Sequence, residues 1–75
     1  MTNSPLRRVR KAHGKTLQDV ADAVGSDSGN LSRIERGMGV PSRRLAERLV
    51  QYFGGAVTEI ELLYPERFMS YEIEA

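Results

Sequence analysis

The apolar positions of this 75-residue chain recur at helical spacing, in short segments that are separated by glycine or proline. In the segment over residues 17–24 they fall three or four positions apart, which places them on one face of a helix. These positions are Leu17, Val20, Ala21 and Val24. Thr16 and Asp19 predict a capping box at the start of this helix. Gly25 predicts its end, because glycine tolerates the left-handed backbone that a sharp reversal requires.

A second short helix is predicted directly after this glycine, with Asp27 as its N-terminal cap and Ser26 as the alternative cap. Leu31 and Ile34 lie on one face of it. On the opposite face lie polar, basic or glycine positions, namely Ser28, Gly29, Ser32, Arg33 and Arg36. Packing against an apolar core does not explain such a polar and basic face. We therefore interpret the two helices as a helix-turn-helix whose second helix is presented to DNA.

Three further helices are predicted over residues 5–13, 43–53 and 59–64. A serine-proline pair is favourable at the start of the first, and Thr58 with Glu61 forms a capping box at the start of the last. The apolar residues of each segment fit one inward face. The sequence therefore predicts an all-α fold of five helices.

The pattern changes after the last predicted helix, where apolar residues alternate with polar ones as in a β-strand. Met69, Tyr71 and Ile73 fall on one side of this extended segment. An isolated strand cannot pair with itself, so the segment either pairs with its copy in a second chain or forms a frayed tail. We expect a helix-turn-helix domain over residues 1–65 and a C-terminal extension over residues 66–75.

Charge is divided unevenly along the chain, although the net charge is only +1. Residues 1–48 contain ten Lys or Arg and five Asp or Glu, a net of +5, whereas residues 49–75 contain one and five, a net of −4. A basic half of this kind is typical of a surface that binds a polyanion such as DNA. The alternative is that the basic residues only cover solvated helix faces.

The sequence lacks the residues that several functional classes of protein require. The chain contains no cysteine, so disulfide frameworks and thiolate metal sites are excluded. With His13 as the single histidine, we expect neither a metal site nor a catalytic triad. No cluster of catalytic groups is present, and we expect no enzymatic activity, cofactor or small-molecule ligand. No apolar run approaches the length of a membrane span and no signal sequence is recognisable, so we expect a soluble, cytoplasmic protein. A chain this short buries about 60% of its unfolded surface, and dimerisation would therefore add stability.

The stretch over residues 16–37, TLQDVADAVGSDSGNLSRIERG, resembles the helix-turn-helix of the Cro/C1-type (XRE-like) family of phage repressors and small bacterial regulators. Pro-Ser at 41–42 and Arg10 also stand in the expected places. The resemblance covers about residues 6–63 and implies a five-helix, lambda-repressor-like DNA-binding domain. It also implies a homodimeric transcriptional regulator, expected to act as a repressor, that binds a pseudo-palindromic operator in double-stranded DNA.

Residue roles follow from this resemblance position by position. The positions that face base edges in the family are Ser28, Gly29, Ser32 and Arg33. The positions expected to contact the DNA sugar-phosphate backbone, with solvation as the alternative for each, are Gln18, Asn30, Arg36, Arg43 and Arg44. Arg10 and Glu35 correspond to a structural ion pair between the first and third helices.

Arg33 is the strongest candidate for base recognition, because one guanidinium can bond both O6 and N7 of guanine. Its alternatives are a plain phosphate contact or exposure to solvent. Gly29 departs from the family pattern, since it has no side chain and weakens a helix. It either allows the backbone to approach DNA closely or marks a loosened first turn.

The acidic C-terminal third is the expected dimer surface, since its charge keeps it away from DNA. Its candidate contact residues are apolar or aromatic and comprise Leu62, Tyr64, Phe68, Met69, Tyr71 and Ile73. The alternative function is an antitoxin-like protein that holds a protein partner on this surface and binds DNA mainly for autoregulation. RNA binding is disfavoured, because a helix cannot read the narrow major groove of A-form RNA.

Overall fold

Five α-helices account for most of the structure, a computed structural model that describes residues 2–68 and 70–71. The helices are α1 (Pro5–Ala12), α2 (Leu17–Val24), α3 (Ser28–Glu35), α4 (Arg43–Tyr52) and α5 (Glu59–Leu63). A short 3-10 helix (Pro65–Arg67) follows α5, and two-residue strands, β1 (Thr2–Asn3) and β2 (Ser70–Tyr71), pair with each other. The expected all-α class with five helices is confirmed.

Each α-helix starts at a side chain that accepts a hydrogen bond from a backbone N–H group of the first turn. The capping residues are Ser4, Thr16, Asp27, Ser42 and Thr58. Asp27 rather than Ser26 caps α3, and its Oδ1 accepts from the Asn30 amide at 2.7 Å. Reciprocal capping boxes form at the starts of α2 and α5, as the sequence predicts.

The helices enclose one apolar core to which all five α-helices contribute. Val20 and Leu62 are 1% exposed, and Leu31, Leu49 and Val57 are completely buried. Val57 precedes the cap of α5, and Leu62 is the fourth residue of that helix, so the two form the halves of a hydrophobic staple. This burial corrects one expectation, because Leu62 belongs to the core of the protomer and offers no surface to a dimer partner.

Residues near the N-terminus pair with residues near the C-terminus. The two strands are antiparallel, with Thr2 opposite Tyr71. The guanidinium of Arg8 on α1 bridges the two segments, since it donates to the carbonyl oxygens of Asn3 at 3.1 Å and Phe68 at 3.2 Å. Of the expected extended segment, Ser70 and Tyr71 are therefore paired within their own chain, which corrects for these two residues the expectation that the segment pairs with a copy in a second chain or frays.

The other residues of the expected dimer surface lie in different surroundings. Tyr64 is exposed at the end of α5, and the Arg67 guanidinium lies 4.6 Å from the centre of its ring. Phe68 is half-buried. Tyr71 contributes its backbone to β2, whereas Met69 and Ile73 lie outside the described residues.

Arg10 and Glu35 form the ion pair that was expected between α1 and α3. Arg10 Nε lies 2.6 Å from Glu35 Oε2, and Arg10 Nη2 donates to Oε1 at 3.1 Å, so the contact is bidentate. The two side chains are 14% and 6% exposed. The Nη1 group of the same guanidinium donates to the Lys15 carbonyl oxygen at 2.9 Å, which ties the segment between α1 and α2 to the pair.

We expect Arg10→Ala to lower the free energy of unfolding by about 3–5 kcal/mol, because it leaves the Glu35 carboxylate buried without its partner. Urea unfolding measures the change. The matched control is Arg43→Ala, which removes a pair with Glu47 whose side chains are 94% and 53% exposed and 3.9 Å apart. That control should cost no more than about 0.5 kcal/mol. A loss below about 1 kcal/mol for Arg10→Ala would contradict the prediction, since that is the range of an exposed pair.

The capping box of α2 makes one carboxyl group more acidic. The Thr16 backbone N–H donates to Asp19 Oδ2 at 3.0 Å. This bond lowers the pKa of Asp19 below its ordinary value, and the Thr16 side chain and the charge of Lys15 act in the same direction. A depressed folded-state pKa stabilises the fold above the unfolded-state pKa, and this stabilisation is lost as the pH falls through the folded-state pKa.

We expect an NMR titration of the Asp19 carboxyl carbon to show a lower midpoint in the folded chain than in the urea-unfolded chain. Thr16→Val should raise the folded midpoint only partway, because it removes the hydroxyl contact and keeps the backbone N–H donor. Equal midpoints in the folded and unfolded chains would show that the capping box does not favour the ionised carboxylate.

Candidate nucleic-acid interface

The turn between α2 and α3 is fixed by its own hydrogen bonds. Gly25 ends α2 in the left-handed conformation, with φ 73° and ψ 35°. Its N–H group and that of Ser26 both donate to the Ala21 carbonyl oxygen, and Asp27 then caps α3. Because these bonds satisfy the end of one helix and the start of the next, they set the direction in which α3 leaves α2.

One side of α3 is attached to the core, and the opposite side is open. Leu31 and Ile34 are 0% and 2% exposed, and Glu35 is buried in its ion pair. Helix geometry places the predicted base-contacting positions on the other side. They are Ser28, Gly29, Ser32 and Arg33, and together they form what we call the outer face of α3. The two serines are half-buried, and the glycine and arginine are exposed.

Arg33 is the basic side chain of the outer face of α3. It forms no hydrogen bond or ion pair with the described residues. Arg36, at the end of the helix, differs because its Nε donates to the Ser32 carbonyl oxygen at 3.3 Å. All of the guanidinium N–H donors of Arg33 therefore lack a partner among the described residues and can bind a ligand that approaches this face.

Gly29 has a local structural explanation. A Cβ atom at this position would lie 3.2 Å from Asp27 Oδ1, the oxygen that caps α3. A side chain here would have to move that carboxylate by a few tenths of an ångström. Gly29 also lies inside the regular part of α3, so the alternative of a loosened first turn does not describe it.

The acidic side chains of the two-helix motif are all held by partners within the chain. Asp19 belongs to the capping box of α2, and Asp22 accepts from Gln18 Nε2 at 2.8 Å. Asp27 caps α3, and Glu35 is paired with α1. Since a capping carboxylate is compensated by the helix N-terminus and Glu35 by a guanidinium, these groups oppose an approaching phosphate less than free carboxylates would.

The predicted DNA-backbone residues lie on first or last turns of helices, and all are exposed. They are Gln18 on α2, Asn30 on α3, Arg36 after α3, and Arg43 and Arg44 on α4. Asn30 donates through Nδ2 to Ser26 Oγ at 3.2 Å, whereas Arg44 makes no hydrogen bond or ion pair with the described residues. Asn30 and Arg44 line the same cleft, between the α2–α3 turn and the start of α4.

Arg48 on α4 is a residue that the sequence did not single out. Its Nη1 donates to the Val24 carbonyl oxygen at 3.2 Å, at the end of α2. A positive charge is favourable there because the carboxyl end of a helix carries partial negative charge. A Cβ atom on Gly25 would lie only 2.9 Å from the same Nη1, so the glycine also makes room for this contact. In the sequence, only the four-residue spacing between Arg44 and Arg48 indicates a shared role, because it places both guanidinium groups on one side of α4.

Other candidate chemistry is explained by packing. The His13 ring lies edge-on to Phe53, with 5.2 Å between ring centres, and its Nδ1 is 2.8 Å from the Val9 carbonyl oxygen. Over residues 2–68 and 70–71, no group of three or more histidine or carboxylate side chains is placed to hold a metal ion. None of the helices in that part of the chain has the length and the hydrophobicity that crossing a membrane requires.

Comparison with known protein families agrees with this geometry. The family model of a helix-turn-helix domain matches residues 5–63, from the first residue of α1 to the last residue of α5. The comparisons with curated proteins and with solved structures each returned no match. The matched span covers most of the chain and includes the turn between α2 and α3, and it supports a DNA-binding regulator. The chain belongs to the helix-turn-helix domain family.

Proposed function

We propose that this protein is a sequence-specific transcriptional regulator that places α3 in the major groove of DNA. The observation that carries the proposal is the outer face of α3, which presents hydroxyl and guanidinium groups while Leu31 and Ile34 hold the opposite side in the core. A short helix fixed in this way, after a tight turn, is the arrangement that reads base edges. The resemblance to the Cro/C1-type family points to the same function.

Arg33 supplies most of the sequence discrimination in this proposal. Its guanidinium is exposed and unengaged by the described residues, so it can donate two parallel hydrogen bonds to one guanine. Ser28 and Ser32 add weaker contacts, because each is half-buried and has a short side chain. Gly29 contributes no side-chain contact. The affinity must therefore come largely from the DNA backbone and from a second copy of the site.

The backbone contacts are assigned to the exposed helix-end residues described above. The Gln18 amide donates to the exposed Asp22 carboxylate, and the Asn30 amide donates to the neutral Ser26 hydroxyl. Arg43 is paired with the exposed Glu47. At Asn30 a phosphate can replace the Ser26 hydroxyl, because a hydrogen bond to an ionised acceptor is stronger than one between neutral groups. At Gln18 and Arg43 it can replace an exposed carboxylate, because exposed pairs of this kind contribute little stability. Arg36 and Arg44 extend the positive surface on either side of α3.

The second copy is supplied by a homodimer in this proposal, through the exposed side of α5. Ile60, Leu63 and Tyr64 are 58%, 38% and 46% exposed, and they recur at a spacing of three and four residues. Phe68 is half-buried next to them in sequence and can extend the same apolar surface. Two-fold pairing would set two α3 helices in successive major grooves about 34 Å apart, on a pseudo-palindromic operator that overlaps a promoter.

The same apolar residues support a second candidate function, in which a different small protein covers α5. Glu59 and Glu66 are exposed beside them and would favour a basic partner. DNA binding would then serve mainly for autoregulation, as in an antitoxin-like protein. Self-association and co-purification distinguish the two candidates, because only one of them predicts a dimer of this chain alone.

Selection of bound sites from a random DNA pool tests the proposed recognition. We expect two inverted half-sites about one helical turn apart. Arg33→Ala should relax the preference at one base pair per half-site by about 1–3 kcal/mol.

Lys11→Ala is the control, because it removes an exposed cation from α1 and should leave the preferred sequence unchanged. An unchanged preference in Arg33→Ala would remove this arginine from the reading face, and uniform weak binding that salt abolishes would contradict sequence-specific recognition.

Analytical ultracentrifugation tests the dimer surface. We expect Ile60→Glu to convert a dimer into a folded monomer, because it places a charge in an apolar interface. Val40→Glu is the matched control, since Val40 is 57% exposed but lies between α3 and α4, away from α5. Dimerisation that survives Ile60→Glu would reject this surface. A wild-type chain that is monomeric alone and co-purifies with another small protein would favour the second candidate function.

A further inference from the structure

A cleft of about 370 Å³ lies between the α2–α3 turn, the first turn of α3 and the start of α4. Its floor is formed in part by Val24 and Leu45, which are buried. Its polar lining comes from three different elements and comprises Ser26, Asn30, Ser42, Arg44 and Arg48. The cleft therefore joins two residues of the predicted DNA-backbone set to three residues that have no assigned role in binding.

The cleft is positively charged. Arg44 and Arg48 both line it, and no aspartate or glutamate does. Arg44 is exposed and forms no hydrogen bond or ion pair with the described residues. Arg48 uses Nη1 for the Val24 carbonyl oxygen, which leaves its other N–H groups without a partner among those residues. Two guanidinium groups with unused donors thus share one concave surface.

The hydroxyl groups of the cleft are also placed to donate. Ser26 Oγ already accepts from Asn30 Nδ2 at 3.2 Å, and Ser42 Oγ accepts from the Leu45 amide at 3.2 Å. Because each oxygen is engaged as an acceptor, its own O–H hydrogen remains to be donated. An excess of donors over acceptors, next to two positive charges, matches a group that is anionic and rich in acceptor oxygens.

We propose that this cleft binds one phosphate group, which Arg44 and Arg48 hold together with the hydroxyl groups of Ser26 and Ser42. Arg48 remains bonded to the end of α2, so a phosphate in the cleft connects α4 to the turn that orients α3. The phosphate is either a phosphodiester of the DNA backbone or that of a free phosphorylated small molecule. Only the first of these sources rests on the proposed function.

The first experiment needs no DNA. Inorganic phosphate is titrated into the full chain while amide and arginine side-chain NMR signals are recorded, with chloride at equal ionic strength as the reference. We expect saturable shifts at Gly25, Ser26 and the two cleft arginines. Arg44→Gln should weaken this binding by about tenfold, since it removes a charge-assisted contact. Lys11→Gln is the control, because it removes the same charge from an exposed position on α1 that does not line the cleft and has no assigned role in binding.

The second experiment identifies the source of the phosphate. If DNA supplies it, the double variant Arg44→Gln with Arg48→Gln should reduce the slope of log K against log salt by about 0.9, the value for one phosphate. Each single variant should reduce the slope by no more than that, and Lys11→Gln should leave it unchanged. A neutral methylphosphonate at one DNA position should then abolish the effect of both arginine variants. Urea unfolding of Arg48→Gln checks that loss of the Val24 contact has not unfolded the chain, and Arg48→Lys keeps the charge if it has.

Together, the two experiments show whether the cleft binds phosphate and which molecule supplies it. Saturable phosphate binding with an unchanged salt slope assigns the cleft to a free phosphorylated ligand. Saturable phosphate binding by a chain that shows no sequence-specific DNA binding rejects the proposed function and retains the cleft. The proposal is overturned if phosphate causes no saturable shifts and the two arginine variants depend on different DNA phosphates or on none.

Discussion

The bidentate ion pair between Arg10 and Glu35 determines how α3 is held against the rest of the molecule. α3 buries only two apolar side chains, Leu31 and Ile34, so apolar packing alone attaches this short helix at two positions. The ion pair adds a third attachment whose geometry is directional. A buried ion pair contributes little net stability compared with apolar residues of the same volume. We therefore regard its main effect as orientation of α3, and the bond from Arg10 to Lys15 extends that effect to the start of α2.

Charge counting alone misjudges the two-helix motif. Residues 16–37 carry four Asp or Glu and two Arg, which would argue against a surface for an anion. The structure explains the difference, because helix starts, a glutamine amide or a guanidinium compensate the four carboxylates. The positive charge of the surface comes from the two arginines of the motif together with Arg43, Arg44 and Arg48 of α4. The electrostatic character of the site is thus set by where the charges are bonded, and their number is a poor guide to it.

Local features of this fold could be predicted, and features that depend on distant contacts could not. Caps and glycine stops act within a few residues, so the starts of α2 and α5 followed from Thr16 and Thr58. Leu62 and Leu63 are adjacent and equally apolar, and only packing against the core decides that the first is buried.

Contacts with the backbone were the least visible in the sequence. Arg48 binds a carbonyl oxygen 24 residues away, and any residue type offers such an oxygen. The pairing of β1 with β2 was not predicted either, because the alternating pattern marks only the segment that contains β2, and the two-residue β1 is too short to show one. For the candidate site, the residues of the outer face of α3 were predicted from the resemblance, whereas the cleft required the structure because its lining comes from three elements.

The short distance between the Cβ position of residue 29 and the Asp27 carboxylate couples two positions that have different roles. Position 29 lies on the outer face of α3, where a longer side chain could reach a base, but a Cβ there crowds the carboxylate that starts the helix. Loss of such a cap would cost about 0.5–2 kcal/mol, whereas replacing a glycine inside a helix by alanine gains about 0.5–1 kcal/mol. The sign of a substitution at position 29 therefore depends on whether the Asp27 carboxylate can shift by a few tenths of an ångström and still accept from the Asn30 amide. Recognition at position 29 is thus linked to the choice of capping residue at position 27, and the two positions are best varied together.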